Sequence, residues 1–158
     1  MTTTAPGSSS RREAVLLVLT SVTLTVIAVQ FALAGLGAFT TIKTPRGDAY
    51  AAHMAAGIAI GALAWIILAT VLTSPAARRR AGMLWPAAAL ALLAIPVEPL
   101  LGEAGQHVPA IGALHAVTGL AIFALDAWLT GAAARQREAG RLRLPAAPSG
   151  RFTQAGRP

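Results

Sequence analysis

Four runs of apolar residues, at 14–39, 50–73, 81–101 and 109–134, constrain this chain more than anything else in it. Each reaches or exceeds the roughly 20 residues a helix needs to cross a bilayer. In lipid no water satisfies backbone N–H and C=O groups, so such runs fold as helices or close into barrels. Runs this long and this continuous are helical, because a barrel strand needs only about 10 residues and alternates polar with apolar. Charged residues make up 12% of the chain, against about a quarter in a soluble domain. The expected fold class is all-α, a four-transmembrane-helix bundle in a lipid bilayer.

Short polar joints separate the runs: "TTIKTPRGDA", "SPAARRR" and "GEAGQH". The expected organisation is a disordered cytoplasmic N-terminus over 1–13, a transmembrane domain over 14–134, and a basic, disordered cytoplasmic tail over 135–158. Both ends are rich in Gly, Pro, Ser and Arg, a composition that buries too little apolar surface to fold. The net charge of +7 invites a nucleic-acid reading, but the placement of the basic residues argues against it. Arg11, Arg12, Arg78, Arg79, Arg80, Arg135, Arg137, Arg141, Arg143, Arg151 and Arg157 fall on one side of the four spans. Only Lys43 and Arg46 fall on the other. That asymmetry obeys the positive-inside rule and predicts both termini in the cytoplasm of a multi-pass cell-membrane protein. The charge is then topological, and no nucleic-acid partner is expected. The "ALA" at 32–34 has the form of a signal-peptidase site, but the apolar run before it is longer than the 7–15 residues usual in a signal peptide. An uncleaved first helix is expected.

There is no cysteine. Thiolate metal sites, iron–sulfur clusters, disulfides and the thioether links of c-type haem are excluded.

Polarity inside the spans is sparse and patterned. Residues 51–63 align with 113–125 without gaps at seven of thirteen positions, among them His53 with His115 and Gly57 with Gly119. Alanine and leucine matches are cheap in so biased a chain, but the chain has only three histidines. The alignment predicts two repeated helical hairpins related by an axis along the membrane normal. His53 and His115 then lie at equal depth near the outer leaflet, where both can point into the bundle.

A polar side chain inside a span is costly and usually faces the bundle interior. Two uses fit a matched pair. The histidines can hydrogen-bond between helices as structural glue, or they can ligate one metal, most naturally the iron of a b-type haem, from opposite faces. Facing helices of a bundle are a common place for such a site. Residues i and i+4 share a helix face, so Gly57 and Gly119 would leave room for a flat macrocycle beside each imidazole. "GIAIG" at 57–61 is also a G-x-x-x-G, which brings membrane helices together without any cofactor. Gln30 and Glu98 each lie in the helix preceding a histidine helix and can orient an imidazole by accepting its N–H; Glu98 can equally reach the outer water. Pro96 and Pro99 predict a break in the third span. Asp126 is expected to cap the bundle or pair with a nearby arginine, and His107 to be solvated.

The stretches "QFALAGLGAF", "AHMAAG" and "EPLLGEAG", followed by "LHAVTGL", resemble a family of small, uncharacterised four-helix bacterial membrane proteins, a domain of unknown function. The resemblance covers most of 14–133. It departs from the family pattern at Ala116, where proline is usual, and at Glu98, where glutamine is. It implies a four-helix membrane fold and no particular activity. More coarsely, His53 and His115 resemble the haem-holding histidines of membrane four-helix b-type cytochromes, including the haem A synthase type. A second histidine pair, needed to relay electrons across the membrane, is missing from the sequence. The expected function is therefore haem b binding through His53 and His115, with electron transfer near the outer leaflet to a quinone or a redox protein. Two alternatives stand beside it: a non-catalytic assembly component, and a small transporter linked to protons or metal.

Overall fold

A computed structural model describes residues 7–39, 47–74 and 82–142. These residues form helices and no strand. Helix α1 spans Gly7–Phe39 and α2 spans Gly47–Thr73. The third span is broken into α3, Leu84–Leu92, a kink over Leu93–Val97, and α4, Glu98–Gly105. Helix α5 runs over Pro109–Leu142. Four segments, Arg11–Leu36, Ala51–Thr73, Leu84–Gly105 and Pro109–Gly140, are long and apolar enough to cross a membrane.

The helices run up and down. Gln30 meets His53 and Glu98 meets His115 at one end, while Arg12 meets Thr73 and Gln136 meets Met83 at the other. The second end carries both termini and is called here the termini end; the first is the far end. Around the bundle α1 packs between α2 and α5, and the third span closes the ring between α2 and α5. The two histidine helices are therefore diagonal partners that face each other across the axis.

Buried positions step by three and four residues along each helix. They are Leu16, Thr20, Thr23 and Ile27 on α1, and Ile60, Ala64, Ile67 and Val71 on α2. On α5 they are Thr118, Ile122, Asp126, Leu129, Ala133 and Gln136. That alternation keeps one narrow stripe on the axis, as in left-handed bundles. Ala64, Ala87 and Ala91 are fully buried, and such small residues let backbones approach where lipid supplies no hydrophobic drive. Outward positions are large and apolar: Val18, Leu36, Ile58, Trp85 and Leu120 are all more than half exposed. In water these would form adhesive patches; against acyl chains they are ordinary.

Two elements differ from the sequence expectations, and a third falls where they put it. Helix α1 begins at Gly7, within the stretch expected to be disordered up to 13. There Arg12 Nη1 donates to the carbonyl of Thr73 at 3.3 Å, an oxygen in the last turn of α2 that has no helical donor. Helix α5 passes Ala134 and continues to Leu142 through part of the expected basic tail. Gln136 is buried there, and its amide donates to Met83 Sδ at 2.6 Å. The expected break of the third span falls at Leu93–Val97, where Ile95 leaves helical geometry (φ −149°, ψ 119°) ahead of Pro96. Proline removes an N–H and crowds the preceding turn, so the helix cannot continue straight through it. The tail beyond 142, residues 1–6, and the joint residues Lys43, Arg46, Arg78, Arg79 and Arg80 lie outside the described residues.

Candidate functional site

The break decides what surrounds the histidines. Below it α3 packs between α2 and α5; above it α4 leaves α2 and packs along α5. Two glycines permit this close pairing. A Cβ on Gly105 would sit 2.7 Å from Gly112 Cα, and one on Gly102 would sit 3.4 Å from His115 Cε1. At the break itself, Ile95 reaches across to α2 and fills the space over Gly61. The far-end turns of α2, which carry His53, are left without a close neighbour from the third span.

Four polar side chains converge at this level. The Gln30 amide nitrogen lies 3.2 Å from His53 Nε2, where it can donate to the ring lone pair. Glu98 Oε2 lies 2.5 Å from His115 Nδ1. The two imidazole centres are 6.3 Å apart, with ring planes at 64°. Each histidine is six residues into its helix, counting from Gly47 and Pro109, and each has its polar partner on the preceding span. The six residues singled out from sequence, His53, His115, Gly57, Gly119, Gln30 and Glu98, are thus brought to one place.

The glycines have a different neighbour from the one expected of them. A Cβ on Gly57 would meet Gln30 Nε2 at 3.5 Å. One on Gly119 would meet Glu98 Oε1 at 3.3 Å and Phe31 Cε1 at 3.6 Å. The missing side chains therefore make room for the polar partners and for Phe31, which also meets Phe123 edge-on with ring centroids 6.2 Å apart. Neither Phe31 nor Gly102 was singled out from sequence. A signal for Gly102 was available: it lies four residues after Glu98, on the same helix face.

Hydrogen bonding at the site is incomplete. Glu98 Oε2 and His115 Nδ1 are close but not aligned as a hydrogen bond. Both are buried without a hydrogen-bond partner, as are Gln30 Oε1 and His53 Nδ1. Buried polar atoms normally find partners, and a membrane offers none from outside. Glu98 and His115 still face each other as a pair, so Gln30 Oε1 and His53 Nδ1 are the two site atoms left with no polar partner.

The donor set suits a metal held between two imidazoles. With metal–nitrogen bonds of about 2 Å, two imidazoles on opposite sides of one metal have ring centres about 6 Å apart. The 6.3 Å spacing fits that distance, as it also fits the edge-to-face contact the two rings make. At His115 the carboxylate sits beside Nδ1, which leaves Nε2 as the ligating nitrogen in the usual carboxylate–histidine–metal order. At His53 the neighbour is on Nε2, and Nδ1 is the open nitrogen. Among the described residues no group of three or more His, Asp or Glu side chains is placed to hold a bare metal ion. A two-ligand site fits a metal whose remaining positions come from a macrocycle.

The other polar candidates lie elsewhere. His107 is exposed in the turn before α5. Trp65, Trp85 and Trp128 face outward. Asp126 neither caps the bundle nor pairs with an arginine: it is fully buried on its axis, with both carboxyl oxygens unpartnered.

No family model, curated protein or solved structure matches the chain. The four-helix fold agrees with the resemblance to small four-helix membrane proteins, and the site must be read from its own geometry.

Proposed function

We propose that this chain is an integral membrane haem b protein, with His53 and His115 as the two axial ligands and Gln30 and Glu98 orienting them. The observation that carries this reading is the convergence of two imidazoles from diagonal helices at a spacing suited to one metal. Haem, when bound, supplies one-electron redox chemistry. The protein's own residues do the rest. Glu98 holds Nδ1–H of His115 and raises the basicity of the opposite nitrogen. Gln30 fixes the ring of His53, and its free Oε1 can accept an N–H when the amide turns over. Phe31 and Phe123 form an apolar wall beside Gly119 that keeps water from the site. With both termini cytoplasmic, the site lies toward the outer leaflet. Its redox partner is a quinone or a protein on that side.

The alternative, in which these side chains only tie helices together, leaves Gln30 Oε1 and His53 Nδ1 buried and unpaired. Helix glue serves by satisfying such atoms, so it is the weaker account.

Haem content per chain tests the proposal. The protein is expressed with ample haem and purified in mild detergent, and haem is extracted and counted against protein. About one haem per chain is expected for the natural sequence. His53→Ala and His115→Ala should each lose most of it while keeping their helical content. A haem-free natural protein that is folded and monodisperse overturns the reading.

A further inference from the structure

Three successive charged residues at the termini end of α1, Arg11, Arg12 and Glu13, point three ways. Arg12 reaches α2, where its guanidinium donates to the Thr73 carbonyl at 3.3 Å. Glu13 turns to α5: a Cβ on Gly140 would sit 3.2 Å from its Oε2. Arg11 is left exposed, and among the described residues it makes no ion pair or hydrogen bond.

Below Arg11 the helix surface is apolar. Residues 11, 15, 18 and 22 follow the four-and-three spacing of one helix stripe, and Val15, Val18 and Val22 are all exposed. A groove of about 270 Å³ opens there, lined by Arg11, Ala14, Val15, Val18 and Leu19. Ala14 offers a single methyl group where the rest of the lining is branched or long, and so leaves the hollow beneath the arginine. Other outward positions at this end carry large side chains, Leu72 on α2 and Leu84 and Trp85 on the third span.

The depth fits one leaflet. Arg11 opens the span Arg11–Leu36, so its charge stands at the hydrocarbon boundary while its stem lies along apolar surface. From Arg11 to Val22 the helix rises about 16 Å, and one leaflet contributes about 15 Å of hydrocarbon. A guanidinium presents a planar fork of donors that matches two phosphate oxygens. Arg12 adds a second positive charge beside it, and the Glu13 carboxylate is turned away. A zwitterionic headgroup brings its own ammonium to the phosphate, whereas an anionic one leaves its charge for the arginines.

We propose that this end of α1 binds one anionic phospholipid. Its phosphate sits on the Arg11 guanidinium, and an acyl chain lies along Ala14, Val15, Val18 and Leu19 toward Val22. The site is at the opposite end of the bundle from the histidines and needs no haem.

Lipid retained by the full chain in mild detergent tests this, counted by native mass spectrometry. The probes are phosphatidylglycerol and phosphatidylcholine with identical acyl chains, offered in equal amounts. One phosphatidylglycerol per chain is expected, in severalfold excess over phosphatidylcholine. Arg11→Ala should cut that preference by about fivefold, the effect of one basic residue at a membrane surface. Arg135→Ala, which removes an exposed arginine from the same end, should leave it unchanged. Ala14→Leu keeps every charge, fills the groove and should also reduce retention, so it carries the test if Arg11→Ala fails to fold. Equal retention of the two lipids by the natural protein overturns the proposal. So does a preference lost equally in Arg11→Ala and Arg135→Ala, which marks a diffuse field of charge. Displacement of the lipid by inorganic phosphate at the same concentration overturns it too, because the groove would then contribute nothing.

Discussion

At Gly105 and Gly112 the backbones of α4 and α5 meet so closely that a single methyl group cannot be accommodated by side-chain rotation. A Cβ on Gly105 would contact backbone atoms at 2.7 and 2.9 Å, and main chain cannot swing aside as a side chain can. Overpacking of this kind typically costs about 1–3 kcal/mol. Gly105→Ala should therefore lower thermal stability in detergent. Gly35→Ala, with nothing within 4 Å of its Cβ, serves as the control and should be neutral or slightly stabilising. Because α4 positions Glu98 and Gly102 against His115, Gly105→Ala should also disturb that histidine's surroundings before His53's. At this scale the sequence was informative about which residues matter and less so about why. His53, His115, Gln30 and Glu98 stand out because polarity is rare in apolar runs. The neighbours of Gly57 and Gly119 were not legible, since a missing side chain does not say what fills its place. Phe31 was hidden for a related reason: one more apolar residue in a membrane helix carries no contrast.

Among the elements, the break of the third span matters most to the site. Pro96 and Pro99 announce it in the sequence. Its consequence, that α3 touches both α2 and α5 while α4 lies on α5 alone, is a matter of packing that no local pattern contains. The ends of α1 and α5 show the reverse problem. Arginine-rich flanks read as solvated tails, yet Gly7–Phe39 and Pro109–Leu142 are continuous helices. Gln136 accounts for this in α5. It is the buried residue among the described side chains of "RQREAGRL", and its contact with Met83 ties the last turns to the start of the third span. Losing one such hydrogen bond costs about 1 kcal/mol, which is roughly a fivefold change in a local opening equilibrium. Gln136→Ala should accordingly speed amide exchange over residues 135–142 by that factor, leaving the middle of α5 unchanged. Equal exchange in both proteins would show that the extension is held by helix propensity alone.

The whole molecule is a bundle with two polar levels separated by an apolar one. The histidine level lies at the far end, and the Asp126 level at mid-depth. Ile27, Ile60 and Ile122 lie between them. The repeat in the sequence explains the first level: two hairpins of like design place two histidines at like depth, each paired from the preceding span. It does not extend to the second, because Ala64 stands on α2 where Asp126 stands on α5 in the repeat alignment. That asymmetry is why Asp126 reads from sequence as an incidental acid and only burial shows its position. At the upper level His53 and His115 are proposed to hold one haem together. The visible absorption spectrum of the purified protein, oxidised and then reduced with dithionite, tests it most directly. The account predicts a Soret band and sharp reduced α and β bands, characteristic of two imidazole ligands, in the natural protein. These should be weakened or lost in His53→Ala and equally in His115→Ala. A colourless folded protein, or a haem spectrum indifferent to both substitutions, would contradict it.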